Sequence, residues 1–291
     1  LELGAGTGKL AFDVLTALAG AGIRIGKYRI LELSAELRQR QQVSLKGFDN
    51  VEWLTVLPER FDGVVLANEV LDAMPVHLVK KYGSGWYETG VSVHDNRLVF
   101  ADIPCEESLV DTIRQSIPDH VNLPVGYQTE VHIHARGFIN TLSEMLAKSA
   151  CAAAILIDYG FPAHEYYHPD RSAGTLMCHF RHRGHDDPFF LPGLQDITAH
   201  VNFTGMAQMA SDHGLDVICY ASQASFLLAS GLPDLLSNGS AESGNSRAGQ
   251  LQAVQKLLSP AEMGELFKVM VLVHKVDPPA FMLDIDKSGR L

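Results

Sequence analysis

Residues 2–8, Glu-Leu-Gly-Ala-Gly-Thr-Gly, run an apolar strand end into a glycine turn, with Gly4, Gly6 and Gly8 two apart. A turn without β-carbons lets backbone approach a ligand closely. The helix begun by Lys9-Leu10-Ala11-Phe12 then directs free N–H groups at it. Phosphate and the amino-acid end of S-adenosylmethionine suit such a turn equally. Spacing removes two competitors. A dinucleotide fingerprint asks for Gly or Ala where Lys9 stands, and a P-loop asks for Ser or Thr where Leu10 stands. A plain turn without ligand stays open as an alternative. Glu2, two residues before the first glycine, sits where it can meet a substrate ammonium.

Further polar residues fall at the carboxyl ends of apolar runs. Glu32 lies 24 residues past Gly8, about where an acidic side chain accepts both ribose hydroxyls. Asn68-Glu69 follows the run 61–67, and Asp72 precedes Met74-Pro75. For a guanidinium nucleophile, Glu69 with Asp72 would hold the cation by paired, charge-assisted hydrogen bonds and leave one nitrogen lone pair free to attack. Methyl transfer from a sulfonium needs little more than orientation and loss of a proton. Asp72 reads equally as a turn or capping residue. Asp158-Tyr159 closes the run 153–157. Asp196, Thr198 and His200 alternate as on one face of a strand, with His200 as a proton acceptor or as a satisfied histidine near the cleft. His179, His182 and His185 are spaced by three, but the intervening Arg181 and Arg183 repel a cation. The segment reads as a polar loop, with metal binding the minor alternative and no metal expected.

These residues need a scaffold that gathers strand ends. Strands are expected at 1–3, 28–33, 51–54, 61–69, 153–160, 215–222 and 267–275. Helices are expected at 12–19, 35–42 (capped by Ser34), 135–150, 205–213, 223–231 and 250–258. The alternation predicts an α/β fold with a doubly wound, mostly parallel sheet, whose ligands bind where strand order reverses. The run 61–69 reads as buried on both faces. Residues 80–102 alternate with turn signals at 83–85 and 95–96, predicting antiparallel hairpins, followed by a helix at 108–117 stopped by Pro118. The core is therefore expected at 1–78 and 129–275. Segment 79–128 is an insertion for substrate or partner, 161–204 a cleft-lining insertion, 237–246 flexible by composition, and 276–291 a surface tail.

Composition narrows the class. The chain has 291 residues, 46% hydrophobic, and a formal charge of −11. That charge argues against a duplex nucleic-acid surface. Cys105, Cys151, Cys178 and Cys219 lie far apart, which reads as reduced thiols. No apolar run approaches bilayer-spanning length. Leu1 already lies inside a strand without an initiator methionine, so any targeting signal would lie upstream of the residues given.

The residues resemble the MidA-type class I methyltransferases, a family that includes mitochondrial complex I assembly methyltransferases. The likeness runs over nearly the whole chain. It rests on Glu-Leu-Gly-Ala-Gly-Thr-Gly-Lys-Leu at 2–10, Leu-Glu-Leu-Ser-Ala-Glu-Leu-Arg-Gln-Arg-Gln at 31–41 and Ala-Asn-Glu-Val-Leu-Asp-Ala-Met-Pro at 67–75. It continues through Ile-Asp-Tyr-Gly at 157–160, Gly-Thr-Leu at 174–176, Asp-Ile-Thr-Ala-His-Val-Asn-Phe at 196–203, Gln223 with Phe226-Leu227, and Met-Gly-Glu-Leu-Phe-Lys at 263–268. The Asn-Glu segment together with the Asp-Ile-Thr-Ala-His stretch is the specific part.

The resemblance implies a Rossmann-like seven-stranded sheet with its last strand antiparallel, and S-adenosylmethionine as methyl donor. For mitochondrial members it implies symmetric dimethylation of an arginine on a complex I subunit. Asn68-Glu69 is similar to the Ser-Glu that opens the arginine clamp of protein arginine methyltransferases. The clamp's second glutamate has no counterpart at the usual spacing, so Asp72 or Glu130 would stand in. Asn202 stands where the family suggests Asp.

The resulting expectation is a protein arginine methyltransferase acting on a respiratory-complex-type or other protein partner. Glu2, Gly4, Ala5, Gly6, Gly8, Glu32, Leu33, Ser34, Trp53, Leu54 and Asn68 are assigned to the donor, with Trp53-Leu54 near adenine. Glu69, Asp72, Glu130 and His200 are assigned to catalysis. A small-molecule methyltransferase and a donor-binding assembly factor without turnover remain alternatives. The expected compartment is cytoplasmic for a bacterial chain and mitochondrial for a eukaryotic one.

Overall fold

The computed structural model of the chain describes residues 1–181, 183–238 and 244–291. Residues 239–243 of the stretch read as flexible, and His182, lie outside the described residues. Two compact units are present: Leu1–Val70 with Thr141–Ile157 and Ala210–Ser288, and Leu71–Asn140 with Asp158–Met209 and Gly289–Leu291.

The first unit carries the main sheet. Its strands run in the order Asp216–Ser222, Phe267–His274, Ala152–Phe161, Gly63–Asn68, Glu2–Leu3, Tyr28–Leu31, Val51–Leu54. The last five are parallel to one another, and Asp216–Ser222 is antiparallel to Phe267–His274. With Val201–Asn202, which pairs with Gly160 and Phe161, the sheet has eight strands rather than the seven expected. Alternate residues of Ala152–Phe161 are fully buried, and Ala153, Ile155 and Ile157 between them are partly buried against Val269, Val271 and their neighbours, so both faces of this pleated strand are covered unequally. The central strand is shorter than its apolar run, and Val64 is half exposed. Val65 and Ala67 are buried on one face, while Val64 and Leu66 on the other are exposed and partly covered, so the strand is not buried on both faces as expected.

Helix Lys9–Gly20 starts three residues earlier than its apolar pattern and buries Ala11 and Leu15, four residues apart on one stripe. Ser34 caps helix Ala35–Ser44 as expected, its Oγ accepting the Leu37 N–H at 3.3 Å. The C-terminal stretch lies on the surface, as expected, and is docked there. Helix Ala280–Ile285 sinks Met282 against Cys219, Val269, Val271 and Val273. Asp286 Oδ1 then accepts the Tyr220 N–H and the Lys287 N–H donates to the Tyr220 carbonyl.

The second unit holds an antiparallel sheet ordered Arg97–Pro104, Gly85–His94, His77–Tyr82, Gln128–Val131. The expected hairpins are present. Asp95 and Asn96 take the left-handed angles (φ 48° and 60°) that a two-residue hairpin turn demands. Helix Glu107–Ser116 buries Leu109 and Ile113 beside Val79, Tyr127, Val131 and Tyr166. This unit is larger than segment 79–128 because Gln128–Val131 pairs with His77–Tyr82 and adds a strand beyond the expected boundary. Residues 161–202 are also less irregular than expected. They contain helix Ala163–Tyr166 and a sheet of Arg183–His185, Met177–Phe180 and Asp196–Thr198. Among the described residues, no helix is long and apolar enough to cross a membrane.

Candidate active site

Strand order in the first unit reverses at Glu2–Leu3, whose Leu3 pairs with Leu31 on one side and Ala67 on the other. The glycine turn, Glu32 and Asn68-Glu69 follow those three strand ends. This is the switch point at which open α/β sheets bind ligands.

Gly4, Gly6 and Gly8 have φ of 63°, 52° and 80°, angles that favour glycine. At Gly8 a β-carbon would also lie 2.9 Å from Ser44 Oγ and 3.2 Å from Gln41 Cγ, whereas one at Gly6 would meet nothing within 4 Å. The turn is therefore tight toward the helix and open at its crest. Ala5 is buried beneath it. No side chain caps helix Lys9–Gly20, so its leading N–H groups remain available to an anion or carboxylate.

Glu32 is oriented from two sides: Oε1 accepts the Ser34 N–H at 2.9 Å and Oε2 accepts Gln41 Nε2 at 3.0 Å. Each oxygen retains a lone pair, which suits a pair of adjacent hydroxyls. Leu33 beside it is 89% exposed, an apolar surface next to a hydroxyl acceptor. Trp53 spends its indole N–H on Gln41 Oε1 at 3.0 Å, leaving its ring for contact. Leu54 pairs with Leu31 at the same strand end.

Gln41 is the functional candidate that sequence reasoning missed. Its signal in the sequence was modest, the closing position of the 31–41 motif; only the structure shows it as the one buried residue of an otherwise wet helix.

Asn68 and Glu69 are exposed, and Asn68 Nδ2 donates to Glu69 Oε1 at 3.1 Å. Glu69 has φ 51° while its N–H still donates to the Ile157 carbonyl at 2.9 Å. A left-handed glutamate is strained, and such strain concentrates at functional positions.

Glu2 corrects the expectation of a ligand-facing carboxylate. It is 3% exposed and accepts the Tyr28 hydroxyl at 2.7 Å. Burial pushes its carboxyl up, and the tyrosine bond opposes that. It braces the strand below the turn.

The other catalytic candidates lie in the second unit. Glu130 is 1% exposed, and its carboxylate accepts the Tyr166 hydroxyl at 2.7 Å and the N–H groups of Thr175 and Leu176 at 2.7 and 3.0 Å. It anchors residues 174–176, and its burial argues against the catalytic role expected of it. His200 lies beyond strand Asp196–Thr198, which stops two residues before it. Its ring is stacked on Phe161 and meets Tyr159 edge-on.

Asp72 is 5% exposed, and burial raises its carboxyl. Asp158 is held by the N–H groups of Leu71, Asp72 and Tyr159. Burial, and next the Asp72 charge, raise it well above the carboxylate range. The pair therefore holds a proton that the unfolded chain releases near pH 3.8. The stability this contributes is complete below that value and is lost as pH rises through the folded value. Stability should fall with pH above about 4, by up to ~1.4 kcal/mol per unit for one proton. Asp158→Asn should flatten the slope in urea titrations at pH 5 and 7; an unchanged slope would refute this assignment.

A family model described as "Putative S-adenosyl-L-methionine-dependent methyltransferase" matches residues 1–221. The chain belongs to this family. The methyltransferase is 47% identical to a Burkholderia thailandensis protein whose crystal structure is bound to S-adenosyl-homocysteine. That structure has a TM-score of 0.90 and the match covers 100% of this chain and 75% of that one. A native crystal structure, also from Burkholderia thailandensis, gives a TM-score of 0.92 at 47% identity, covering 100% and 78%.

The mitochondrial protein arginine methyltransferase NDUFAF7 of Danio rerio is 28% identical over 315 residues, covering 94% of this chain and 68% of that protein. The Homo sapiens protein of that name is 26% identical over 306 residues, covering 94% and 65%. The methyltransferase thus spans about two thirds of their length. Methyl transfer from S-adenosylmethionine on a class I fold, implied by the sequence resemblance, is the activity of this chain.

Proposed function

We propose that the methyltransferase modifies arginine side chains of a protein acceptor. The observation that carries this reading is Glu69: an exposed carboxylate in a left-handed conformation, one residue past the strand beside the glycine turn. A carboxylate there can draw a guanidinium's positive charge toward one edge and leave the opposite nitrogen able to attack. The names of the mitochondrial relatives support the same acceptor.

In this reading the open crest of residues 4–8 holds the donor's amino-acid end and Glu32 its ribose hydroxyls. Leu33, Trp53 and Leu54 flank the adenine, with Ser34 orienting Glu32 and Asn68 orienting Glu69. S-adenosylmethionine supplies an electrophilic methyl group when bound. The strands within 79–128 and the segment 161–204 are the parts assigned to partner recognition. A mitochondrial location, which the relatives' names give for them, extends to this chain only if it is eukaryotic, and a cytoplasmic one holds if it is bacterial; a respiratory-complex acceptor follows from the sequence resemblance.

The test incubates full-length protein with radiolabelled donor and cell extract, with arginine and lysine peptides in parallel, followed by mass spectrometry. Methylated arginine is expected. Label confined to small molecules, or to lysine, would overturn the reading.

A further inference from the structure

We infer that Gln41 is a positioning residue for donor binding, acting through Glu32; this rests on the reading of Glu32 as the ribose-binding carboxylate. Gln41 is fully buried in helix Ala35–Ser44. Its amide makes three bonds to three different parts of the first unit. Nε2 donates to the Gly6 carbonyl at 2.8 Å and to Glu32 Oε2 at 3.0 Å, while Oε1 accepts the Trp53 indole N–H at 3.0 Å.

The amide orientation is dictated by chemistry. Trp53 can only donate, and the Gly6 carbonyl and the Glu32 carboxylate can only accept. The glycine crest, the hydroxyl acceptor and the aromatic side are thereby fixed to one planar group. Glu32 has its other oxygen on the Ser34 N–H, so the two bonds together set the carboxylate plane before a ligand arrives. A carboxylate with one lone pair engaged and one open on each oxygen is prepared for two neighbouring hydroxyls. Preorganisation of this kind raises affinity by lowering the ordering cost. A neutral amide does so without adding charge beside Glu32, which neither a lysine nor a glutamate at position 41 would achieve.

The experiment is a double-mutant cycle read by calorimetric binding of S-adenosylhomocysteine to the full chain. Gln41→Met should weaken binding about tenfold, and Glu32→Gln more strongly. The double variant should bind no more weakly than Glu32→Gln alone, because the interaction is already gone. Additive penalties, or an unchanged Gln41→Met affinity, would overturn the inference while leaving Glu32 in place. Unchanged affinity in Glu32→Gln would instead remove the ribose-site reading on which it rests.

Gln41→Glu keeps the shape and serves if Gln41→Met does not fold. It sets two carboxylates side by side, which favours a shared proton. Its affinity deficit relative to the parent should therefore be large at pH 8 and shrink at pH 5.5. A deficit independent of pH would count against the proposal.

Discussion

Glu69→Gln is expected to lower kcat/KM for methyl transfer by roughly a hundred- to a thousandfold while leaving S-adenosylhomocysteine affinity within about twofold. The change removes a charge and almost no volume. An amide cannot localise a guanidinium's positive charge as a carboxylate does, and one of its two polar atoms is a donor that repels the guanidinium N–H groups. Glu69→Gly adds a second arm. The φ of 51° is strained for glutamate but not for glycine, so this variant should lose turnover yet match or exceed the parent in stability, by up to ~1 kcal/mol. Thermal melts with single-turnover assays separate the effects. Parent-like turnover in both variants would take Glu69 out of the mechanism.

Glu130→Ala should cost about 3–5 kcal/mol of stability, because it strands several buried donors at once. The Tyr166 hydroxyl and the Thr175 and Leu176 N–H groups all end on this carboxylate. A neighbouring glycine makes the site exacting: a β-carbon on Gly174 would sit 2.3 Å from Glu130 Oε1, and Gly174 has φ 75°. Urea unfolding should show the loss directly, accompanied by earlier proteolysis within the second unit. A folded, stable but inactive Glu130→Ala would restore the catalytic role that burial argues against.

The residues that were legible in the sequence are those whose chemistry is local. The three alternating glycines, the Ser34 cap, the Asp95-Asn96 turn and the acid-ended apolar runs each declare themselves within a few positions. The reversal of strand order followed from that alternation, and it brought Glu32 and Asn68-Glu69 to the ends of strands flanking the turn. What stayed hidden depends on partners distant in sequence. Glu2 and Glu130 are carboxylates near motif residues, and nothing nearby announces that Tyr28, 26 residues on, or Tyr166 and Thr175, 36 and 45 residues on, will consume them. Gln41 was obscured for the same reason: its helix is polar, and its value lies in three contacts made across 35, 9 and 12 residues. Alternation suggested one face for Asp196, Thr198 and His200, but the strand stops at Thr198.

The docked C-terminal stretch has a bearing on solubility. Asp216–Ser222 is an outermost strand of the main sheet, and an uncovered outermost strand offers its backbone to any passing chain. At Tyr220 both the N–H and the carbonyl are already taken, by Asp286 and Lys287. Residues 286–287 thus work as a selvedge at Tyr220, taking up backbone groups through which another molecule could otherwise be stitched on.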